Sequence, residues 1–412
     1  MKYGLIGEKL GHSFSKDIHK MLLTGDYTPV ELTQSELDGF MKKRDFSAIN
    51  VTIPYKQAVI PYLHYIDENA RDIGAVNTVV NKDGLLYGYN TDFYGLSELV
   101  KKTAGDIRNK KVVILGSGGT SRTAYAVAKS LGAAEIYRVS RTGKDQSVTY
   151  EYMYEHLTDA DLIINTTPVG MYPECEKCPL CLDAFTNLSA VVDVIFNPLS
   201  TVLVLNAREK GISAESGLYM LVAQAVAASE HFASVTYPAD TVDNIYRKIL
   251  NSKQNIVLTG MPGSGKSTVG KILAHTMGRQ LFDIDAEIVS HTGMEITQIF
   301  AQYGEAGFRD IETEITKKLS ALSGVVISCG GGTVLRDENI NALRRNGVIF
   351  FIDRPLSQLI PTADRPLASD VEAIKTRYNE RIDRYISTCD MRVPVEGDAQ
   401  TVAEKIGKEF FK

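Results

Sequence analysis

Residues Gly260 to Ser267 read Gly-Met-Pro-Gly-Ser-Gly-Lys-Ser, a complete P-loop, and no other stretch limits the fold of this chain so sharply. The spacing calls for a strand before the loop and a helix after it. Glycines let backbone N–H groups close around phosphate oxygens, and the helix N-terminus faces the anion. Both neighbours are present, since Asn255 to Thr259 is a short apolar run and residues 267–275 have a helical pattern. In such a loop Lys266 reaches the outer phosphates of ATP and the Ser267 hydroxyl ligates Mg2+. Gly263, Ser264, Gly265 and Thr268 complete the expected ATP-binding set. A second glycine turn, Val-Val-Ile-Leu-Gly-Ser-Gly-Gly at 112–119, belongs to a different nucleotide-binding architecture, so one chain is predicted to hold two nucleotide sites.

At 412 residues the chain exceeds one ordinary domain, and about 150 residues per domain predicts two or three. A net charge of −5 with 44% apolar residues describes a globular protein without the basic excess that neutralises nucleic-acid phosphate or anionic lipid. Small molecules are therefore the expected partners, with neither nucleic acid nor membrane, and a homo-oligomer is compatible with all of this. No apolar run approaches the ~20 residues a spanning helix needs, and Lys2 to Ile6 enters a strand without a signal-peptide layout. These features predict a cytoplasmic location, and five cysteines in this length fit a reducing compartment. Cys175, Cys178 and Cys181 form a C-x2-C-x2-C run with no fourth ligand nearby, which favours a surface loop over a closed metal site.

Residues 111–142 read as strand, glycine turn, helix over 120–131 and second strand over 135–139, a βαβ unit. Gly116, Ser117, Gly118 and Gly119 would bring backbone to a pyrophosphate, although Ser121 breaks the strict G-x-G-x-x-G pattern. Where an NAD site places an acidic residue, this chain has Ser140-Arg141-Thr142. A guanidinium there suits a 2′-phosphate and predicts NADP(H); a solvated surface arginine is the plain alternative.

Four polar clusters precede this unit, each at the end of an apolar segment: Gly11 to Ser15, Asn50 to Lys56, Gly74 to Thr78 and Gly88 to Asp92. Asn165-Thr-Thr-Pro-Val-Gly-Met171, Asp193-Val-Ile-Phe-Asn-Pro198 and Gly217 to Gln224 follow. With these motifs the first 250 or so residues resemble shikimate dehydrogenase. The resemblance implies an α/β substrate domain plus a Rossmann-like NADP domain, and reduction of the 3-dehydroshikimate carbonyl by NADPH. It makes Lys56 and Asp92 the catalytic pair, Ser13, Ser15, Thr52, Asn77 and Gln224 the substrate ligands, and Gly217 part of the cofactor site. Chemistry favours such a pair independently: hydride arriving at a carbonyl builds negative charge that an ammonium stabilises or protonates. On sequence without motifs an exposed ion pair is the default reading. Phe196 stands where a tyrosine is expected before Asn-Pro, which removes a hydroxyl from the substrate side. Quinate is the competing substrate, and a non-catalytic shikimate-sensing regulator is the reading from another class. The sensor reading expects lost catalytic groups.

Residues 254–412 alternate short apolar strands with helical stretches. Beyond the P-loop stand Phe282-Asp-Ile-Asp285, Gly304 to Glu312 with an F-R-x-x-E pattern, Gly330-Gly-Gly332, Asp364-Arg-Pro-Leu367 and Arg381 to Tyr385. Together they resemble shikimate kinase, with gluconate or nucleoside kinases far behind, and imply a nucleoside-monophosphate-kinase-like α/β domain with a parallel sheet. Strand alternation would put Asp283 and Asp285 on one side. By resemblance Asp283 assists Ser267 with magnesium, Asp285 binds the acceptor hydroxyl and takes its proton, Arg309 and Arg381 grip the carboxylate, and Gly331 and Gly332 approach the ring. Arg365 is the expected lid arginine over ATP, in a segment, 360–363, without a further basic residue. The predicted domains are 1–98, completed by helices over about 217–250, then 99–216, and 255–412 behind a linker, 251–254, whose extended reach is at most ~14 Å. The first would make shikimate and the last would phosphorylate it.

Overall fold

The computed structural model describes residues 1–10, 14–359 and 371–411. The chain forms two compact units, Met1–Ile249 and Leu250–Lys412, and all three sheets are fed by short apolar runs.

In the first unit, one six-stranded sheet has the order Tyr27–Glu31, Tyr3–Gly7, Ala48–Val51, Thr78–Lys82, Leu85–Tyr89, Tyr65–Ile66. Its first three strands run parallel, and Thr78–Lys82 and Leu85–Tyr89 form an antiparallel hairpin. Asp83 and Gly84, both at positive φ, make the tight turn that Asp-Gly favours between strands. A five-stranded sheet follows, wholly parallel, in the order Ser213–Glu215, Ala190–Asp193, Leu162–Asn165, Lys111–Leu115, Glu135–Val139. Val113, Leu115, Ile163 and Val191 share its buried core. Helix Leu218–Ala233 then returns to the first sheet, where Ala228 and Phe232 pack with Tyr3 and Leu5.

The second unit is built on one parallel sheet, ordered Leu281–Asp283, Val326–Ser328, Asn255–Thr259, Gly347–Asp353, Met391–Pro394. Its strands are apolar at nearly every position because both faces are covered. Val257, Ile327, Ile349 and Phe351 enter one core, and Ile256, Leu258, Phe350 and Ile352 enter the other, the two-residue alternation of a strand.

Two local expectations change. Residues 251–253 finish helix Thr241–Lys253 and Gln254 N–H donates to Leu250 O, so the stretch read as a linker is mostly the end of a helix. Strand Leu281–Asp283 ends at Asp283, and Asp285 lies in the first turn of helix Ile284–Thr292. Alternation along a strand therefore does not bring the two aspartates together; Asp283 does so by capping that helix, its Oδ1 accepting from Asp285 N–H at 3.1 Å. Among the described residues no helix is long and apolar enough to cross a membrane.

Candidate active sites

Asn90 starts the first site. Its side chain accepts from Phe93 N–H and caps helix Thr91–Ala104, leaving Asp92 in the first helical turn. Lys56, in the turn after strand Ala48–Val51, brings Nζ to 2.6 Å from Asp92 Oδ2. The pair is 29% and 20% exposed, sheltered enough that bulk water screens it less than a surface pair. It lines a cavity of about 430 Å³ with Ser15, Thr52, Asn77 and Gln224, and Phe196 and Gly217 line the same space.

The polar lining is braced from behind. Asn77 Oδ1 accepts from Thr91 N–H (2.7 Å) and the Thr78 hydroxyl (3.1 Å), which leaves the amide nitrogen as its free end. Asn50 Nδ2 donates to Thr78 Oγ1 at 3.2 Å while its Oδ1 accepts from Tyr27 at 2.9 Å. Gln224 Nε2 donates to Leu221 O (3.0 Å) and its Oε1 receives the Thr91 hydroxyl (3.4 Å). A methyl at Gly95 would lie 2.6 Å from Met220 O and 2.9 Å from Gln224 Cβ, so this glycine lets the helix of Asp92 lie against the helix of Gln224. Phe196 turns its ring toward Phe14, centroids 5.6 Å apart. The loop bearing Phe196 hangs from Asp193, whose carboxylate accepts from Ile195 N–H, Thr201 Oγ1 and Asn165 Nδ2 at 3.0, 2.7 and 3.1 Å. Burial pushes that carboxyl up to about 6, against the three donors.

Gly116 takes φ +118° with Thr166 Oγ1 2.6 Å from where a Cβ would stand. Ser117 follows, and Gly118 and Gly119 open into free space at the start of helix Gly119–Ser130. That is the geometry by which backbone N–H groups meet a phosphate. Gly217 lies so close to Val194 that a Cβ would sit 2.1 Å from its carbonyl oxygen. Ser140 is occupied structurally, its hydroxyl paired with Ser147 Oγ at 2.7 Å and accepting from Gly143 N–H. Arg141 and Thr142 are exposed just past the strand end. Ser13 lies outside the described residues.

The second site gathers around Gly330–Gly332. A Cβ at Gly330 would stand 2.8 Å from both Asp285 Oδ1 and Glu312 Oε1, one at Gly331 2.8 Å from Pro262 of the P-loop, and one at Gly332 2.2 Å from the Arg309 guanidinium. The triple glycine is thus where P-loop, acidic pair and arginine converge. Arg309 Nη1 donates to Glu312 at 2.6 Å and Nη2 to Glu305 at 3.3 Å, and Arg381 Nη1 donates to Gly331 O at 3.0 Å. In the P-loop, Gly260, Gly263 and Gly265 take positive φ. Lys266 is buried with Nζ donating to the carbonyls of Gly260 and Met261 at 2.9 and 3.0 Å. Ser264 is buried, Thr268 exposed. Asp283 Oδ2 accepts from the hydroxyls of Ser267 (2.8 Å) and Ser328 (2.9 Å). A hydroxyl and a carboxylate oxygen side by side at a phosphate loop suit a hard cation such as Mg2+. Arg365 lies outside the described residues.

Sequence reasoning passed over several of these groups. Glu312, read within the F-R-x-x-E motif but given no role, is fully buried between Arg309 and Thr333, at the three-residue spacing that pairs side chains along a helix. Arg354 donates from Nε to Ser264 O at 3.3 Å and stands beside Gly265, and nothing in its sequence surroundings points there. In the cysteine loop, the Cys178 thiol donates to Leu180 O and that of Cys181 to Asp183. Among the described residues no three His, Cys, Asp or Glu side chains gather into a metal-holding group.

Comparison with known proteins places each unit beside a family. Residues 5–79 match the model of the shikimate dehydrogenase substrate binding domain, and residues 262–410 that of shikimate kinase. The chain is 37% identical over 244 residues to a shikimate dehydrogenase (NADP(+)) of Clostridium beijerinckii, covering 55% of this chain and 90% of the relative. A shikimate dehydrogenase (NADP(+)) of Halothermothrix orenii is 38% identical over 254 residues, 55% of this chain and 88% of its own length. Among solved structures, a chorismate mutase/shikimate 5-dehydrogenase fusion protein from Clostridium acetobutylicum aligns with TM-score 0.56 and 38% identity over 60% of this chain and 96% of that one. The shikimate 5-dehydrogenase of Thermus thermophilus, crystallised with NADP(H) and shikimate, aligns with TM-score 0.53 and 28% identity over 60% and 99%.

Proposed function

This chain belongs to the shikimate dehydrogenase family and carries a shikimate kinase domain behind it, and we propose that its two units act in succession on one metabolite. The first reduces 3-dehydroshikimate to shikimate with NADPH. The second transfers the terminal phosphoryl group of ATP to a ring hydroxyl of shikimate. The observation that supports this is a pair of assembled residue sets: Lys56 meets Asp92 inside the cavity of the first unit, and Gly330–Gly332 gather the P-loop, Asp285 and Arg309 in the second unit.

In the first pocket Thr52, Asn77, Gln224 and Ser15, with Ser13, hold the carboxylate and hydroxyls of the ring. Gly116–Gly119 would hold the pyrophosphate of NADPH and Arg141 its 2′-phosphate, and the bound cofactor would supply hydride chemistry there. Lys56 Nζ faces the carbonyl oxygen, stabilises the negative charge that builds there and delivers the proton. Asp92 keeps the lysine aimed. Phe196 and Gly217 close the cofactor side and exclude water.

In the second pocket Arg309 and Arg381 hold the carboxylate, since planar forks match its two oxygens. Asp285 accepts the proton of the attacking hydroxyl, and Lys266 holds the outer phosphates. Ser267 and Asp283 would hold Mg2+, which supplies charge neutralisation to the phosphates, and Arg365 would close over them. The reading is of a cytoplasmic enzyme working on small molecules.

A single mixture of the intact protein with 3-dehydroshikimate, NADPH, ATP and Mg2+ tests it, following NADPH loss and ADP release separately. ADP release should wait on NADPH oxidation and should start at once when shikimate is added instead. NADPH loss without subsequent ADP release, or ADP release indifferent to shikimate, would overturn the proposed sequence.

A further inference from the structure

Helix Val371–Thr388 turns one face inward, with Ile374, Arg381 and Tyr385 buried. Arg377 follows Ile374 by three positions and precedes Arg381 by four, the spacings that stack side chains on one helix face. It is half-buried. Its Nε is sealed from solvent without a hydrogen-bond partner, and no ion pair reaches its guanidinium among the described residues. Its neighbours differ: Arg309 has Glu312 and Glu305, Arg381 has Gly331 O, and Arg384 has Asp337 and Val334 O.

Burial lowers the pKa of Arg377, and the positive charges of Arg381 and Arg309 push it the same way, with Glu305 and Glu380 opposing. Three guanidiniums therefore act on one another here, and this one, unlike the other two, has no hydrogen-bonded or ion-paired partner among the described residues, Glu305 and Glu380 acting on it only through space. Holding an unpaired, partly desolvated cation beside two others costs free energy in the empty pocket. An anion seated among them would recover it. The nucleotide phosphates are the less suitable anion: Arg381 and Tyr385 reach the carbonyl of Gly331, whereas the P-loop residue Pro262 packs where that glycine's Cβ would be, a different side of the same residue.

We propose that Arg377 is a third guanidinium of the acceptor pocket and binds the substrate carboxylate alongside Arg309 and Arg381. This rests on the reading of the second unit as a shikimate kinase. A planar donor fork added to two others makes the pocket selective for acceptors that carry a carboxylate, and uncharged polyols of the same size should be excluded.

The test uses the full-length protein and ATP-dependent ADP release without NADP present, so that only the second unit reports. Arg377→Met, which keeps the apolar stem, should raise the KM for shikimate ~10-fold, a loss of ~1.4 kcal/mol, while the KM for ATP stays within about twofold. Arg377→Lys should recover part of the loss, because it restores charge without the fork, and it decides the matter if the methionine variant fails to fold. A shikimate KM within about twofold of wild type in both variants, or an ATP KM that rises as much as the shikimate KM, would overturn the role given to Arg377 alone. Absence of shikimate-dependent ADP release in the unsubstituted protein would overturn the site assignment itself, and this role with it.

Discussion

Lys56 reaches Asp92 across a sequence gap of 36 residues, and both could be picked out beforehand only through the motifs shared with shikimate dehydrogenase, since without them an exposed ion pair is the default reading. Replacing Lys56 by Met should slow NADPH oxidation ~10²–10⁴-fold while ADP release from added shikimate continues. Stopped-flow absorbance separates the two, and an undiminished hydride-transfer rate would remove Lys56 from the chemistry. Glu312 stood in the F-R-x-x-E motif without a role of its own, and Arg354 and Arg377 were not legible at all. Charged residues are mostly solvated, and only the fold shows which groups these three face. His19 is a further case: it stacks on Tyr27 at 4.1 Å, meets Ser229 Oγ through Nδ1 at 2.9 Å, and is held by burial down to about 3, against the Asn50 amide. The neutral ring is the form the fold accepts. Its folded pKa lies below the unfolded value of about 6.5, so the stability it confers is complete above that pH and is lost as pH falls toward 3. Urea unfolding between pH 7 and 4 should show a decline that His19→Phe largely removes, at a cost of about 1 kcal/mol at neutral pH from the stranded serine. An identical decline in the variant would assign it to other groups.

Elements carry the sites as much as residues do. The parallel sheets were readable because glycine turns punctuate apolar runs at both nucleotide loops. The hairpin Thr78–Lys82 and Leu85–Tyr89 had its signal in Asp83-Gly84, hidden by the parallel pattern around it. The strand carrying Phe282 stops two residues sooner than the D-x-D spacing suggests, since Asp283 caps the next helix with its other oxygen turned to Ser267. Helix crossings left no trace in the sequence. Gly95 is the clearest, because a side chain there would strike the backbone of Met220. Gly95→Val should destabilise the first unit by about 1–3 kcal/mol and raise the KM for 3-dehydroshikimate by moving the Asp92 helix off the Gln224 helix. Thermal melting with steady-state kinetics checks both, and a variant with wild-type KM would show that the crossing does not set the pocket.

At the scale of the molecule, two units with separate cores were foreseeable from length and from two unlike glycine loops. Where one ends and the next begins was not, because a polar run such as Asn251-Ser-Lys-Gln254 looks like a joint whether or not it is folded. Within the second unit, Arg279 is half-buried with Nη1 on Gln254 O at 2.6 Å and Nη2 on Asn251 O, and Gly324 N–H is taken by Lys253 O at 2.7 Å. Anyone dissecting the gene at the seam that composition suggests would discard the acceptors that this guanidinium and this amide depend on. A polypeptide starting at 255 should melt earlier than one starting at 251, by the ~1–3 kcal/mol that a stranded buried donor costs, and equal melting temperatures would show these four residues to be dispensable. The start of an independently expressed kinase is thus dictated by an arginine 25 residues downstream of its own acceptor.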